Sequence, residues 1–316
     1  MSSSASRSPR KLCALSVDLD EIPNYYAIHG RGGDADLPGK HAVYDIALPR
    51  LVSFAAALDV PMTFFCVGDD LAREAAATEL QRAVDAGHGV GNHTLSHDYG
   101  LTRRDRPEIA LEIEEGANAI ERACGVRPKG FRAPGYTITD QVFTILRGLG
   151  FKYDSSVFPC PSYMLAKDAA IGLYSTLGRP SRSVIDTPSV LLAPTGPYRV
   201  GEPYWKRGDG LLELPIQVTR GLRLPFIGTT IMLAGPLGAR ALTEMVVGEP
   251  LVNLELHGID LLDDRDDGLA PLAVHQRDVR VSVERKERSL AAVVERLRRA
   301  GYSFVTMDEA AEAFAS

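Results

Sequence analysis

Two histidines four residues apart, His93 and His97, are the first residues in this 316-residue chain whose type and spacing suggest chemistry. Imidazoles at i and i+4 face the same way if the segment turns helically, which suits two ligands of one metal. The spacing alone proves little, because the chain holds seven histidines and some such pairs arise by chance. Asp18 and Asp20 follow a short apolar run and add carboxylates. Two imidazoles and one carboxylate suit zinc or another first-row divalent ion, with positions left for water and substrate. A second carboxylate beside the ion can take a proton from water. In Phe131-Arg-Ala-Pro-Gly-Tyr136, Arg132 can grip a carboxylate bidentately and Gly135 lets backbone and substrate approach closely. Leu254-Glu-Leu-His257-Gly258 ends another apolar run, so His257 is a candidate general acid.

These residues converge only if the elements around them bring them to one face. Leu12–Val17, Met62–Val67, a very short segment ending at His93, Lys129–Arg132, Phe151–Val157, Leu211–Val218, Leu251–Leu256 and Tyr302–Val305 read as strands. Amphipathic helices are expected over Tyr44–Leu58, from Asp69/Asp70 to about Ala86, Glu108–Ala123, from Thr139 to near Gly150, Leu237–Val247 and Arg285–Ala300. Strand and helix alternate, which predicts an α/β fold with parallel strands. Strand C-termini then gather on one face, where sites form. About seven such units fit a distorted (β/α)7-type barrel in a single domain over 12–316. Residues 158–210, rich in Pro, Gly and Ser, read as irregular loops around the site. Residues 1–11 read as a disordered Ser- and Arg-rich tail.

Composition narrows the classes. The hydrophobic fraction is 45% and charged residues make up 24%, near the globular average. A net charge of −6 argues against a nucleic-acid surface. No apolar run is long enough to span a bilayer. Cys13, Cys66, Cys124 and Cys160 are far apart and form neither a disulfide framework nor a zinc site. Reduced thiols and no apolar stretch behind the tail lead to an expectation of a cytoplasmic protein. A homo-oligomer is left open. Trp205, the only Trp, either lines a pocket or simply packs.

The order of these motifs resembles the polysaccharide deacetylase family of carbohydrate esterases, from about Leu12 to Met307. That family carries an Asp-containing first motif, His-x-x-x-His, Arg-x-Pro and a late Leu-His. Here these are Asp18/Asp20, His93/His97, Arg132/Pro134 and Leu256/His257. Ala86-Gly-His-Gly-Val-Gly-Asn-His-Thr-Leu-Ser-His97 is similar to the family's second motif, and Phe151-Lys-Tyr-Asp-Ser-Ser-Val-Phe158 to a segment of one subgroup. The resemblance implies that Asp20, His93 and His97 bind one divalent metal, zinc first, cobalt or nickel otherwise. It implies Asp18 as general base oriented by Arg132, and the Gly135 N–H, with Tyr136 beside it, as oxyanion donor. It implies His257 as general acid, paired with Asp154. Leu19 between the aspartates departs from the usual motif and matches an Asp-x-Asp subgroup; Gly135 stands where the family has Tyr. The expected activity is removal of an N-acyl group, acetyl or formyl, from an amino sugar or its conjugate, a small-molecule or saccharide substrate. The alternatives are opening of a cyclic amide or imide and a non-catalytic carbohydrate-binding relative. The full set of base, ligands, Arg and acid disfavours the last.

Overall fold

A computed structural model of the chain describes residues 11–31, 37–176, 184 and 187–315. The strands are β1 (Lys11–Asp18), β2 (Met62–Cys66), β3 (Gly89–Asn92), β4 (Gly130–Phe131), β5 (Tyr153–Asp154), β6 (Tyr198–Val200), β7 (Arg207–Glu213), β8 (Leu251–His257) and β9 (Tyr302–Phe304). The helices are α1 (Ile22–Ile28), α2 (Leu48–Leu58), α3 (Glu74–Asp85), α4 (Arg106–Cys124), α5 (Asp140–Gly148), α6 (Pro161–Thr176), α7 (Gly228–Glu244), α8 (Val283–Arg299) and α9 (Met307–Phe314).

β1 is apolar on both faces because it is covered on both faces, as parallel strands are. Seven parallel strands run in the order β7-β5-β4-β3-β2-β1-β8, with β6 antiparallel beside β7. β9 pairs with the first residues of β1. The sheet curls, and chain beyond β7 reaches β8 through Gln217 N–H to Asn253 O at 3.1 Å. The Asn253 amide completes this seam. It donates to Leu214 O at 3.0 Å, Pro215 O at 3.2 Å and Ser155 Oγ at 2.9 Å, and accepts from Ser16 Oγ at 3.0 Å. This is the distorted seven-unit barrel that the alternation predicts. The main core lies between β1, β2, β8 and the helices α2, α3, α7 and α8.

Several local readings change. Lys11 opens β1, while the rest of the expected tail lies outside the described residues. The stretch 158–210 is not all loop: α6 and β6 form within it, and residues 177–183, 185 and 186 lie outside the described residues. α6 was illegible because its apolar residues show little helical periodicity, having no continuous core to face. α7 begins nine residues before the predicted Leu237, since Gly235 (φ 69°) and Pro236 kink the helix without ending it. Asp69 and Asp70 form a 3₁₀ turn before α3 and cap nothing. Thr139 caps α5, accepting from Val142 N–H at 3.4 Å.

Asn253→Leu, near in size, should lower unfolding free energy by about 2–4 kcal/mol, because Ser16 and the Leu214 and Pro215 carbonyls lose partners in a dry seam. Urea unfolding at unchanged m-value measures this, and an unchanged midpoint would remove the amide from the closure of the barrel.

Candidate functional site

Asp18 ends β1, and Leu19 N–H still donates to Phe65 O of β2 at 2.9 Å. Alternation along this segment sends Leu19 into the core and both aspartates to the cavity at the strand C-termini. This is the physical meaning of the inserted Leu19.

His93 follows β3, but the segment to His97 is not helical. Thr94 (φ 69°) and His97 (φ 53°) take left-handed backbone, which brings the two rings to 4.8 Å. The turn is held locally. Thr94 N–H donates to Asn92 Oδ1 at 2.8 Å, and His97 N–H to Thr94 Oγ1 at 3.0 Å. Glu112 of α4 accepts from Ser96 N–H at 3.1 Å and Ser96 Oγ at 2.9 Å.

Asp20 Oδ1 lies 3.3 Å from His93 Nε2 and 3.2 Å from His97 Nε2. All three side chains are buried, yet Asp20 Oδ1 and His97 Nε2 complete no hydrogen bond. His93 Nδ1 lies 2.7 Å from the Arg132 carbonyl. A carbonyl only accepts, so Nδ1 carries the hydrogen and Nε2 turns its lone pair to the cluster. Burial would raise the Asp20 carboxyl, but His97 and His93 hold it well below the ordinary range. Burial works against protonating His93, yet Asp18 and Asp20 outweigh it and raise its pKa. The cluster therefore favours an added positive charge, and its donor set fits a divalent cation.

Arg132, fully buried, sits just past β4. It donates from Nη1 to Asp18 Oδ1 at 2.6 Å, from Nη2 to Ser16 Oγ and Ser155 Oγ at 2.8 Å each, and from Nε to Ser155 O at 2.9 Å. Its plane lies over Phe65, with Cζ 4.2 Å from the ring centroid. Asp18 Oδ2 is left without a hydrogen-bond donor, 3.8 Å from His93 Nε2. Burial raises the Asp18 carboxyl above its ordinary value, although Arg132 and His93 pull the other way.

His257 closes β8, with Nε2 3.9 Å from Asp20 Oδ2 and 3.4 Å from Tyr136 Oη. The expected pairing with Asp154 is not there. His257 Nδ1 lies 2.9 Å from Glu255 Oε1, whereas Asp154 accepts from Ser156. Burial would lower the imidazole's pKa, but Glu255 and then Asp20 raise it well above the ordinary value. Glu255 is the residue that sequence reading missed. Its signal was present, since positions i and i+2 of one strand share a face.

Gly135 (φ 61°) and Tyr136 (φ 62°) line the same cavity. Trp205 does not: it packs edge-on against Tyr204, with centroids 5.1 Å apart, near α5. The cavity holds about 220 Å³. Asp18, Asp20, His93 and His257 lie on one side, and α6 supplies Tyr163, Ala166, Lys167, Ala170 and Ile171. Lys167 Nζ donates to Gly135 O at 2.9 Å. A larger cavity of about 530 Å³ between β5, β7 and α9 contains none of the predicted site residues.

Residues 43–153 match the polysaccharide deacetylase family model. A peptidoglycan deacetylase of Helicobacter pylori is 29% identical over 46% of this chain and 49% of its own length. A chitooligosaccharide deacetylase of Bradyrhizobium is 31% identical over 37% of this chain and 55% of its own length. The chain thus spans about half the length of the curated relatives it matches. A solved structure from Mycobacterium smegmatis, assigned to the polysaccharide deacetylases, aligns with a TM-score of 0.60 at 20% identity, over 98% of this chain and 93% of that one. This last likeness is one of fold. Residues 43–153, which carry the His93/His97 motif and reach past Arg132, are thus similar to the polysaccharide deacetylase family.

Proposed function

We propose that the chain is a divalent-metal-dependent amide hydrolase that removes an N-acyl group from an amino sugar or a compact conjugate of one. The observation that carries this reading is the convergence on one cavity of a metal-fitting triad, an Arg-held carboxylate and a Glu-held imidazole. An ion held by Asp20, His93 and His97, zinc being favoured by the nitrogen-rich donor set, supplies Lewis acidity toward a carbonyl and makes water a better nucleophile at neutral pH. Asp18 Oδ2 takes the proton of the attacking water, while Arg132 fixes the other oxygen of the same carboxylate. The Gly135 N–H donates to the oxygen on which charge develops. His257, held as imidazolium by Glu255, gives its proton to the departing nitrogen. The relatives' deacetylase names support an acetyl group.

Ring opening of a cyclic amide uses the same residues and is favoured by one observation. The cavity's 220 Å³ falls below the roughly 300 Å³ at which pockets for drug-sized ligands begin. A compact substrate suits a site lined from above by α6 better than a polymer does. Released acetate or formate, against a ring-opened product with neither, separates the two reactions. A metal-loaded protein that turns over none of these substrates would sink both.

Four variants test the roles. His93→Ala and His97→Ala should each lose the metal, measured as metal per chain after gel filtration. Asp18→Asn should keep the metal and lower kcat by about 10²–10⁴-fold; full activity would remove the base assignment. Glu255→Gln withdraws the carboxylate that raises His257. Because His257 acts below its own pKa, the alkaline limb of the pH–rate profile should move to lower pH by roughly 1–3 units. An unmoved limb would show that another group is the acid.

A further inference from the structure

Asp154, at the end of β5, stands opposite its register partner Glu213 at the end of β7. Both side chains are fully buried. Asp154 accepts from Ser156 N–H on Oδ2 and from Ser156 Oγ–H on Oδ1, each at 2.8 Å. Glu213 Oε1 accepts from Val157 N–H at 3.0 Å, but Glu213 Oε2 is buried and receives no donor. The nearby cation, Arg132, makes its hydrogen bonds to Asp18, Ser16 and Ser155. Two adjacent dry carboxylates with an orphan oxygen are expensive, and one proton between them removes a charge and supplies the missing hydrogen bond.

We infer that Asp154 and Glu213 share one buried proton, carried by Glu213, and that this pair positions the segment 132–136. The link is short. Ser156 Oγ, which donates to Asp154, accepts from Ala133 N–H at 2.8 Å. Two residues later Gly135 and Tyr136 both take left-handed backbone, a conformation that persists only when its surroundings over-determine it. The hydroxyl donates its one hydrogen to Asp154 and keeps a lone pair for Ala133 N–H, so the carboxylate fixes how it is turned. Glu213 as the acid keeps Asp154 charged for that purpose. Burial, followed by the proximity of Asp154, pushes the Glu213 carboxyl well above the ordinary range, in keeping with this assignment. The pair itself stands on geometry alone; its meaning for Gly135 rests on the proposed reaction.

Glu213→Gln should preserve the arrangement, with the amide oxygen accepting from Val157 and the amide N–H donating to Asp154. Glu213→Ala should not. The full chain, without substrate, gives two readouts. The infrared difference spectrum of wild type minus Glu213→Gln at neutral pH should contain one carboxylic-acid C=O band. Hydrogen exchange at Ala133 N–H, normalised to β1 amides, should speed up at least about tenfold in Glu213→Ala and stay within about threefold in Glu213→Gln. Asp154→Asn, which cannot accept both Ser156 bonds on two oxygens, should accelerate Ala133 as Glu213→Ala does and serves if the latter does not fold. No acid band, or Glu213→Gln exchanging as fast as Glu213→Ala, would overturn the inference. Neither readout uses turnover, so loss of the shared proton and failure of the proposed hydrolysis are told apart.

Discussion

Everything at the site hangs on one buried ion pair, Arg132 with Asp18. Taking both charges out of water costs several kcal/mol per ion, and the Coulombic gain offsets that only with good geometry and further hydrogen bonds. Here the guanidinium has them: Ser16 from β1, the Ser155 hydroxyl and carbonyl beyond β5, and the face of Phe65 from β2. One planar side chain thereby ties β1, β2, β4 and β5 together at their C-terminal ends. A lysine could not do this, because a point charge lacks the fork and the flat face. The same residue acts twice on the chemistry, its guanidinium setting the rotamer of Asp18 and its carbonyl setting the tautomer of His93.

The cost of building the site falls on the backbone. Asp59, Thr94, His97, Tyr136 and Arg223 have positive φ among the described non-glycine residues, and three of the five lie in or beside the site. A β-branched Thr and a bulky Tyr are poor choices for that region on local grounds. They persist because neighbours allow nothing else. α4 presses its backbone on the 94–95 turn at Gly116, where a Cβ would come within 2.7 Å of Thr94 C, and Glu112 clamps Ser96. The stable barrel thus supports a locally unfavourable arrangement that aims two imidazoles at one carboxylate.

Cover comes from a different part of the chain. α6 carries Ala166, Ala170 and Ile171 over the cavity and is tied to the Gly135 carbonyl by Lys167. The most irregular-looking stretch of sequence therefore supplies one wall of the cavity.

The barrel's strands and most of its helices are legible in the sequence because periodicity records which faces are buried. β1, β2, β8, α4 and α8 fall within a few residues of their predicted bounds. Residue types likewise announce a metal and an acid–base pair, and the strand-end positions of Asp18, Asp20, His93, Arg132 and His257 predict that they meet. What sequence cannot supply is which groups pair across strands. Alternation within β8 already puts Glu255 on the face of His257, but only register sets Asp154 against Glu213 instead of the imidazole. Nor does spacing reveal that His93 and His97 meet through a left-handed turn, that Trp205 packs away from the cavity, or that α6 covers it. Those outcomes depend on contacts between distant segments, and only the closed barrel decides them.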